Sequence, residues 1–136
     1  MFSGKFPSPF TVYRSIGAAG ERIGVGVMDK SGVAVDYVNR AHPEYVIVLV
    51  LRGRGVYRTC GGETYALSAG SVFQRFRGVP HTTEIDPDSG YLECFLELGV
   101  SVENLLFGYG VADPERPVLK TAATAVLAER FAELGE

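Results

Sequence analysis

The sequence predicts a mainly β fold: a barrel of short antiparallel strands followed by two C-terminal α-helices. Two observations carry this. Between Phe10 and Leu98, short apolar segments alternate with Gly, Pro, Asn and Asp, the punctuation of strands joined by tight turns. After Gly99 the apolar spacing becomes that of a helix. A chain of 136 residues, 46% hydrophobic and 21% charged, builds one core and leaves no room for a second domain of similar size. Residues 1–10 read as an N-terminal arm, 11–99 as the barrel and 100–136 as the C-terminal helices.

Strands are expected at residues 10–15, 22–28, 33–38, 45–51, 55–59, 63–67, 71–76, 81–85 and 91–98. Gly61-Gly62 suits a two-residue hairpin turn, since both positions tolerate positive φ. Asp86-Pro87-Asp88-Ser89-Gly90 is a second strong turn, with Pro presetting φ and Gly closing it. In residues 91–98, Leu92, Cys94, Leu96 and Leu98 alternate with Tyr91, Glu93, Phe95 and Glu97, and the apolar set is expected to face the interior. Residues 45–51 are apolar on both faces, so their outer side needs a cover as well, most simply a C-terminal helix.

Ser101 is a plausible N-cap for the first helix, with Glu103 in its first turn and Gly108 as its stop. Residues 114–120 look irregular. Thr121 then opens a second helix in which Ala123, Leu127, Phe131 and Leu134 recur at helical spacing. That stripe either docks on the chain's own strands or forms a dimer contact through Leu127, Phe131 and Leu134.

Composition excludes several classes. With 13 Lys and Arg against 16 Asp and Glu the formal charge is −3, the opposite of a phosphate-binding face. Contact with DNA is expected only through a C-terminal domain absent from this chain. No apolar run suits a signal peptide or a membrane span, which points to a cytoplasmic protein with no membrane partner. Cys60 and Cys94 lack metal or redox spacing and are expected as reduced thiols.

The stretch Arg40-Ala-His42-Pro-Glu44-Tyr45, then six apolar residues, then Arg52-Gly-Arg-Gly55, followed later by Gly70 through Gly78-Val-Pro80-His81, resembles the two signature motifs of the cupin superfamily. The resemblance runs from about Arg22 to Leu98 and implies a double-stranded β-helix, or jelly-roll, barrel. Gly70, Gly78 and His81 match the second motif, with Phe76 where a Pro would stand. The first motif normally supplies two His and a Glu as metal ligands, and those places hold Arg40, His42 and Val46. With two of three ligands missing, no metal and no other cofactor is expected. If a metal did bind, His42 and His81 would hold it with Glu44 or Glu93.

His42 and His81 are the only histidines, and both fall on motif positions that face the barrel interior, where they either contact a ligand or satisfy neighbouring polar groups. Arg40 offers a planar fork of donors for a carboxylate, phosphate or sugar, or pairs at the surface with Asp36 or Glu44. Thr83 follows His81 on the same strand face. Arg75 and Arg77, like Arg52, Arg54 and Arg58, read as solvated edges.

The run from His42 to Gly55, with Tyr57, Tyr65-x-Leu67-x-x-Gly70, Gly78-Val-Pro-His81, the Pro87-Asp88 turn and Arg116-Pro-Val-Leu119 leading into a helix, is similar to one branch of cupins, the sensor domain of AraC-family transcription regulators. That resemblance implies a small-molecule effector held at Arg40, His42, His81, Thr83 and the strand around Cys94, with residues 6–10 folding over the pocket mouth. It also implies a homodimer and a linked DNA-binding half. Two alternatives stand beside it: a small cupin enzyme, either a metal-dependent oxygenase or a metal-free isomerase using His81 or Tyr45, and a stand-alone binding module. The nature of the effector is left open.

Overall fold

A computed structural model describes residues 6–18 and 20–136. These form ten strands and two helices: β1 (Phe10–Ile16), β2 (Glu21–Asp29), β3 (Val35–Arg40), β4 (Tyr45–Arg52), β5 (Arg54–Thr59), β6 (Thr64–Ser68), β7 (Ser71–Arg75), β8 (His81–Ile85), β9 (Leu92–Leu98), α1 (Val100–Gly108), β10 (Val118–Lys120) and α2 (Thr124–Leu134). All nine expected strands are present within a residue or two. The tenth, β10, lies in the segment read as irregular and adds to β7 through Val118, Leu119 and Lys120.

The expected closed barrel does not form. The strands divide into two open antiparallel sheets, one of six strands in the order β1-β2-β9-β4-β7-β10 and one of four in the order β3-β8-β5-β6. Closure would require every strand to pair on both sides, but among the described residues β1 pairs only with β2, β10 only with β7, β3 only with β8 and β6 only with β5. The result is a two-layer jelly-roll sandwich. Val46, Val48, Val50, Phe73 and Phe95 of the larger sheet meet Tyr57, Leu67 and Ile85 of the smaller one in a shared core.

The larger sheet is buried on its other face too, as the two-sided apolarity of β4 requires. Leu49 and Leu51 point outward into a second cluster with Val27, Leu92, Cys94 and Ala128, against which Leu127, Phe131, Phe6 and Phe10 pack. The stripe on α2 therefore docks on the chain's own sheet through Leu127 and Phe131, while Leu134 is exposed. Arg14 fixes the end of that helix, its guanidinium donating to the carbonyls of Leu134, Gly135 and Glu136 at 2.8, 3.3 and 2.8 Å, groups a helix C-terminus otherwise leaves unsatisfied.

Four local expectations are corrected. The apolar set of β9 faces outward: Leu92 and Cys94 lie under α2, and Glu93, Phe95 and Glu97 face the space between the sheets. The β5–β6 connection is a four-residue loop, residues 60–63, in which only Gly62 has positive φ, 90°, with the Gly62 N–H donating to the Thr59 carbonyl at 3.0 Å; one glycine, and not the Gly61-Gly62 pair, takes the left-handed conformation. Helix α1 starts two residues earlier than expected, capped at Gly99, and the Ser101 N–H is taken by the Glu21 carboxylate at 2.7 Å. Thr121 accepts the Ala123 N–H at 3.0 Å and α2 opens only at Thr124.

Candidate functional site

Between the two sheets lies a cavity of about 210 Å³, open to solvent beside Tyr13 and Met28. Its apolar walls come from β4, through Val46 and Val48, and from Phe95 on β9; Met28, Tyr13 and Tyr37 complete them. Phe95 lies so close to β2 that a Cβ on Gly26 would fall 2.5 Å from its ring, and a Cβ on Gly24 would fall 2.4 Å from the Tyr13 ring. Glycine at both places lets aromatic faces lie flat beside the strand.

The polar lining is ionic and almost fully buried. Lys30, just after β2, forms ion pairs with Glu93 and, at 3.0 Å, with Asp36. Arg75 on β7, only 3% exposed, donates to Asp36 at 2.7 Å, to His81 Nε2 and to Thr83. Thr83 also donates to Asp36, at 3.3 Å. Tyr91 donates its hydroxyl proton to Glu93 at 3.3 Å. Burial alone would lower the Lys30 ammonium, but Glu93 and Asp36 outweigh it and hold it above its ordinary value. Burial pushes the Asp36 carboxyl up, and Lys30 and Arg75 more than reverse that, so it lies below the usual range.

A second chain of contacts borders the first. Tyr37 and His42 Nδ1 are 2.6 Å apart, and His42 Nε2 is 2.8 Å from Glu97. Arg22 reaches the other oxygen of Glu97 at 3.0 Å from a side chain half in solvent. Asp36 and Tyr37 are consecutive, yet both line the cavity, because register shifts on either side of Tyr37 break the strand alternation of β3.

His81 stands behind this lining. It is 3% exposed and stacks on Tyr37 and Tyr57 at ring distances of 5.0 and 5.4 Å. Burial first, and then the Arg75 charge, lower its pKa to about 4, so the ring is neutral at physiological pH. With Nε2 accepting from Arg75, the ring proton sits on Nδ1, which has no partner among the described residues.

Of the residues singled out from sequence, His42 lines the cavity directly, and His81 and Thr83 support it from behind. Arg40 is exposed and reaches the site only through the Tyr37 ring, 4.9 Å from its centroid. Cys94 lies on the opposite face of β9, and burial raises its thiol to about 12. Glu44 is not among the lining residues. Tyr45 also points away, its ring edge-on to Phe107 at 5.3 Å and its hydroxyl donating to Gln74. Phe6 and Phe10 pack beside α2 rather than over the cavity, and the rest of the expected arm, residues 1–5, lies outside the described residues.

Sequence reading missed Lys30, Asp36, Arg75 and Glu97 as interior groups and reached Glu93 only as an alternative metal ligand. For the two glutamates a signal existed: a helix covering the outer face of β4 must also cover its neighbour β9, and a helix takes the apolar set, leaving Glu93 and Glu97 to turn inward. Arg75 offered no comparable signal, since an Arg at a strand end reads as solvated until its buried partners are known.

The residues present do not suit a metal. His42 spends both ring nitrogens on Tyr37 and Glu97, His81 turns Nε2 to a guanidinium, and among the described residues no three His, Cys, Asp or Glu side chains converge as a ligand set. No described helix is long and apolar enough to cross a membrane.

Comparison with known proteins agrees with this architecture. Three solved structures of ToxT from Vibrio cholerae superpose on the chain: an apo K231A form (TM-score 0.59, 17% identity, 82% of this chain and 47% of that one), the protein from strain O395 (0.58, 12%, 82% and 45%) and a wild-type form with an unsaturated fatty acid bound (0.59, 17%, 81% and 46%). The chain thus spans about half the length of these structures, and at such identities the likeness concerns the fold. No curated protein matches the sequence closely enough to count as a relative. The family model of the AraC-like ligand binding domain matches residues 32–120, a segment running from the loop before β3 to the end of β10 and holding every cavity residue except Tyr13, Met28 and Lys30. The family's description is of ligand binding, which supports a non-enzymatic role over the oxygenase and isomerase alternatives. The chain belongs to the AraC-like ligand binding domain family.

Proposed function

We propose that the domain senses a small molecule in the cavity between its two sheets and that His42, with Lys30, Asp36, Glu93 and Glu97, contacts it directly. His81 and Thr83 hold Arg75 and Asp36 in place, and Arg40 steadies Tyr37. The observation that carries this reading is the cavity itself: buried ionic groups with apolar walls, lying largely inside the segment that matches a ligand-binding family. A core with no ligand to recognise gains little from burying so many charges, because desolvation offsets much of what their pairing returns.

By family membership we further infer that the domain works as a homodimer and passes its state to a DNA-binding segment outside this chain, in a soluble cytoplasmic regulator. Sensing requires only that the ligand bind one arrangement better than another. Thermal-shift screening of small polar metabolites tests the site. A ligand at a hundred times its Kd stabilises the fold by about 2.7 kcal/mol, several degrees in Tm. Val48→Phe fills the cavity from β4, and true hits lose their shift in it. Hits that stabilise the variant as much as the parent place the ligand elsewhere.

A further inference from the structure

We propose that the ligand of this cavity is a small organic cation, an ammonium or amidinium on a short apolar stem, held by the Glu93-Phe95-Glu97 row of β9. The proposal rests on the cavity being the ligand site and adds the charge class. Two Lys and Arg side chains line the cavity against three carboxylates, Asp36, Glu93 and Glu97. His42 is committed on both sides, with Nδ1 2.6 Å from the Tyr37 hydroxyl and Nε2 2.8 Å from Glu97.

Both buried cations are already committed. Arg75 serves Asp36, His81 and Thr83, and Lys30 serves Asp36 and Glu93. Glu97 differs: its side chain is 5% exposed, while the Arg22 that pairs with it is 54% exposed, where water and salt screen the pair. An anionic head entering the cavity would face three carboxylates and would have to draw Lys30 or Arg75 away from one, leaving a buried charge uncompensated. A cation instead gives Glu97 a charged partner inside the cavity, where Arg22 reaches it only from the solvent side.

The field agrees at both ends of the row. Lys30 is held above its ordinary value beside Glu93, and the Tyr13 hydroxyl is raised by burial and then by Glu97. Between the carboxylates, Phe95 presents an aromatic ring fixed against Gly26, which attracts a cation and packs its stem. A space of about 210 Å³ admits a small molecule rather than a long chain.

The test is a titration of the 15N-labelled chain at pH 7 and constant ionic strength with n-pentylamine, 1-pentanol and pentanoate, matched in length and differing in charge. Pentylammonium is expected to shift the amides of Lys30, Glu93, Phe95 and Glu97 saturably, with a Kd at least tenfold below that of pentanoate. Glu97→Gln, which keeps shape and acceptor oxygen, should remove most of that preference; its spectrum reports whether it folds. If pentanoate or pentanol binds at these amides as tightly as the amine, the cation class is overturned and the cavity still stands as the ligand site. If the preference persists in Glu97→Gln, the assignment to the β9 row fails. If none of the three probes moves these amides, both the charge class and the ligand-site reading fall.

Discussion

Lys30 shows how much of the site depends on single buried contacts. Its ammonium is the shared partner of Glu93, which is 2% exposed, and of Asp36. Replacing it by a group of similar bulk without charge, Lys30→Met, strands the Glu93 carboxylate in a nearly dry environment, whereas Asp36 keeps Arg75. Breaking a buried pair from one side costs about 3–5 kcal/mol, so the unfolding free energy of Lys30→Met from urea denaturation should fall by that amount with little change in slope. Adding Glu93→Gln removes the stranded charge and should restore more than half of the loss. A Lys30→Met variant as stable as the parent would mean the pair is solvated. None of this was legible from the residue types, because Lys, Arg and Glu in strands read as surface until their partners are placed. The histidines were legible: His42 and His81 both reach the site, one at its lining and one behind it.

Elements were easier to read than their orientation. Turn residues placed nine strands, yet the alternation in β9 showed only that two faces differ, and the assumption that the apolar face meets the interior reversed the strand. The apolar set had a stronger claimant in α2, whose Ala128 is fully buried beside Leu92 and Cys94. The same packing separates two roles on α2. Phe131 packs against the outer cluster and Leu134 is exposed. Phe131→Ala should therefore cost stability, about 2 kcal/mol for a partly buried ring, without changing oligomeric state. Leu134→Asp should leave the unfolding free energy within about 0.5 kcal/mol of the parent and, if copies pair through this end of α2, lower the mass found by light scattering. A Phe131→Ala protein that dissociates at unchanged stability would reverse these assignments.

The whole molecule is an open sandwich, and closure was the feature the sequence could not reveal, since β propensity does not say which edges pair. At the β3 edge, where no backbone ladder joins the sheets, side chains make the connection: Lys30 and Arg75 from the six-stranded sheet side grip Asp36 of β3, and Arg75 also binds His81 and Thr83 of β8. This connection needs a neutral His81, because a protonated ring would have no lone pair for Arg75 and would set two buried cations together. The folded pKa of about 4 lies below the ordinary 6.5, so the unfolded chain binds the proton first as pH falls. Stability from this group is complete above pH 6.5 and is lost between there and pH 4, by about 3 kcal/mol in all. Urea denaturation at pH 7.5 and 5.0 should show most of that loss, whereas His81→Phe, which keeps the stack on Tyr37 and Tyr57 but carries no titrating group, should show a much shallower fall over the same interval. An equal fall in the variant would assign the acid sensitivity to other groups and release His81 from this role in joining the sheets.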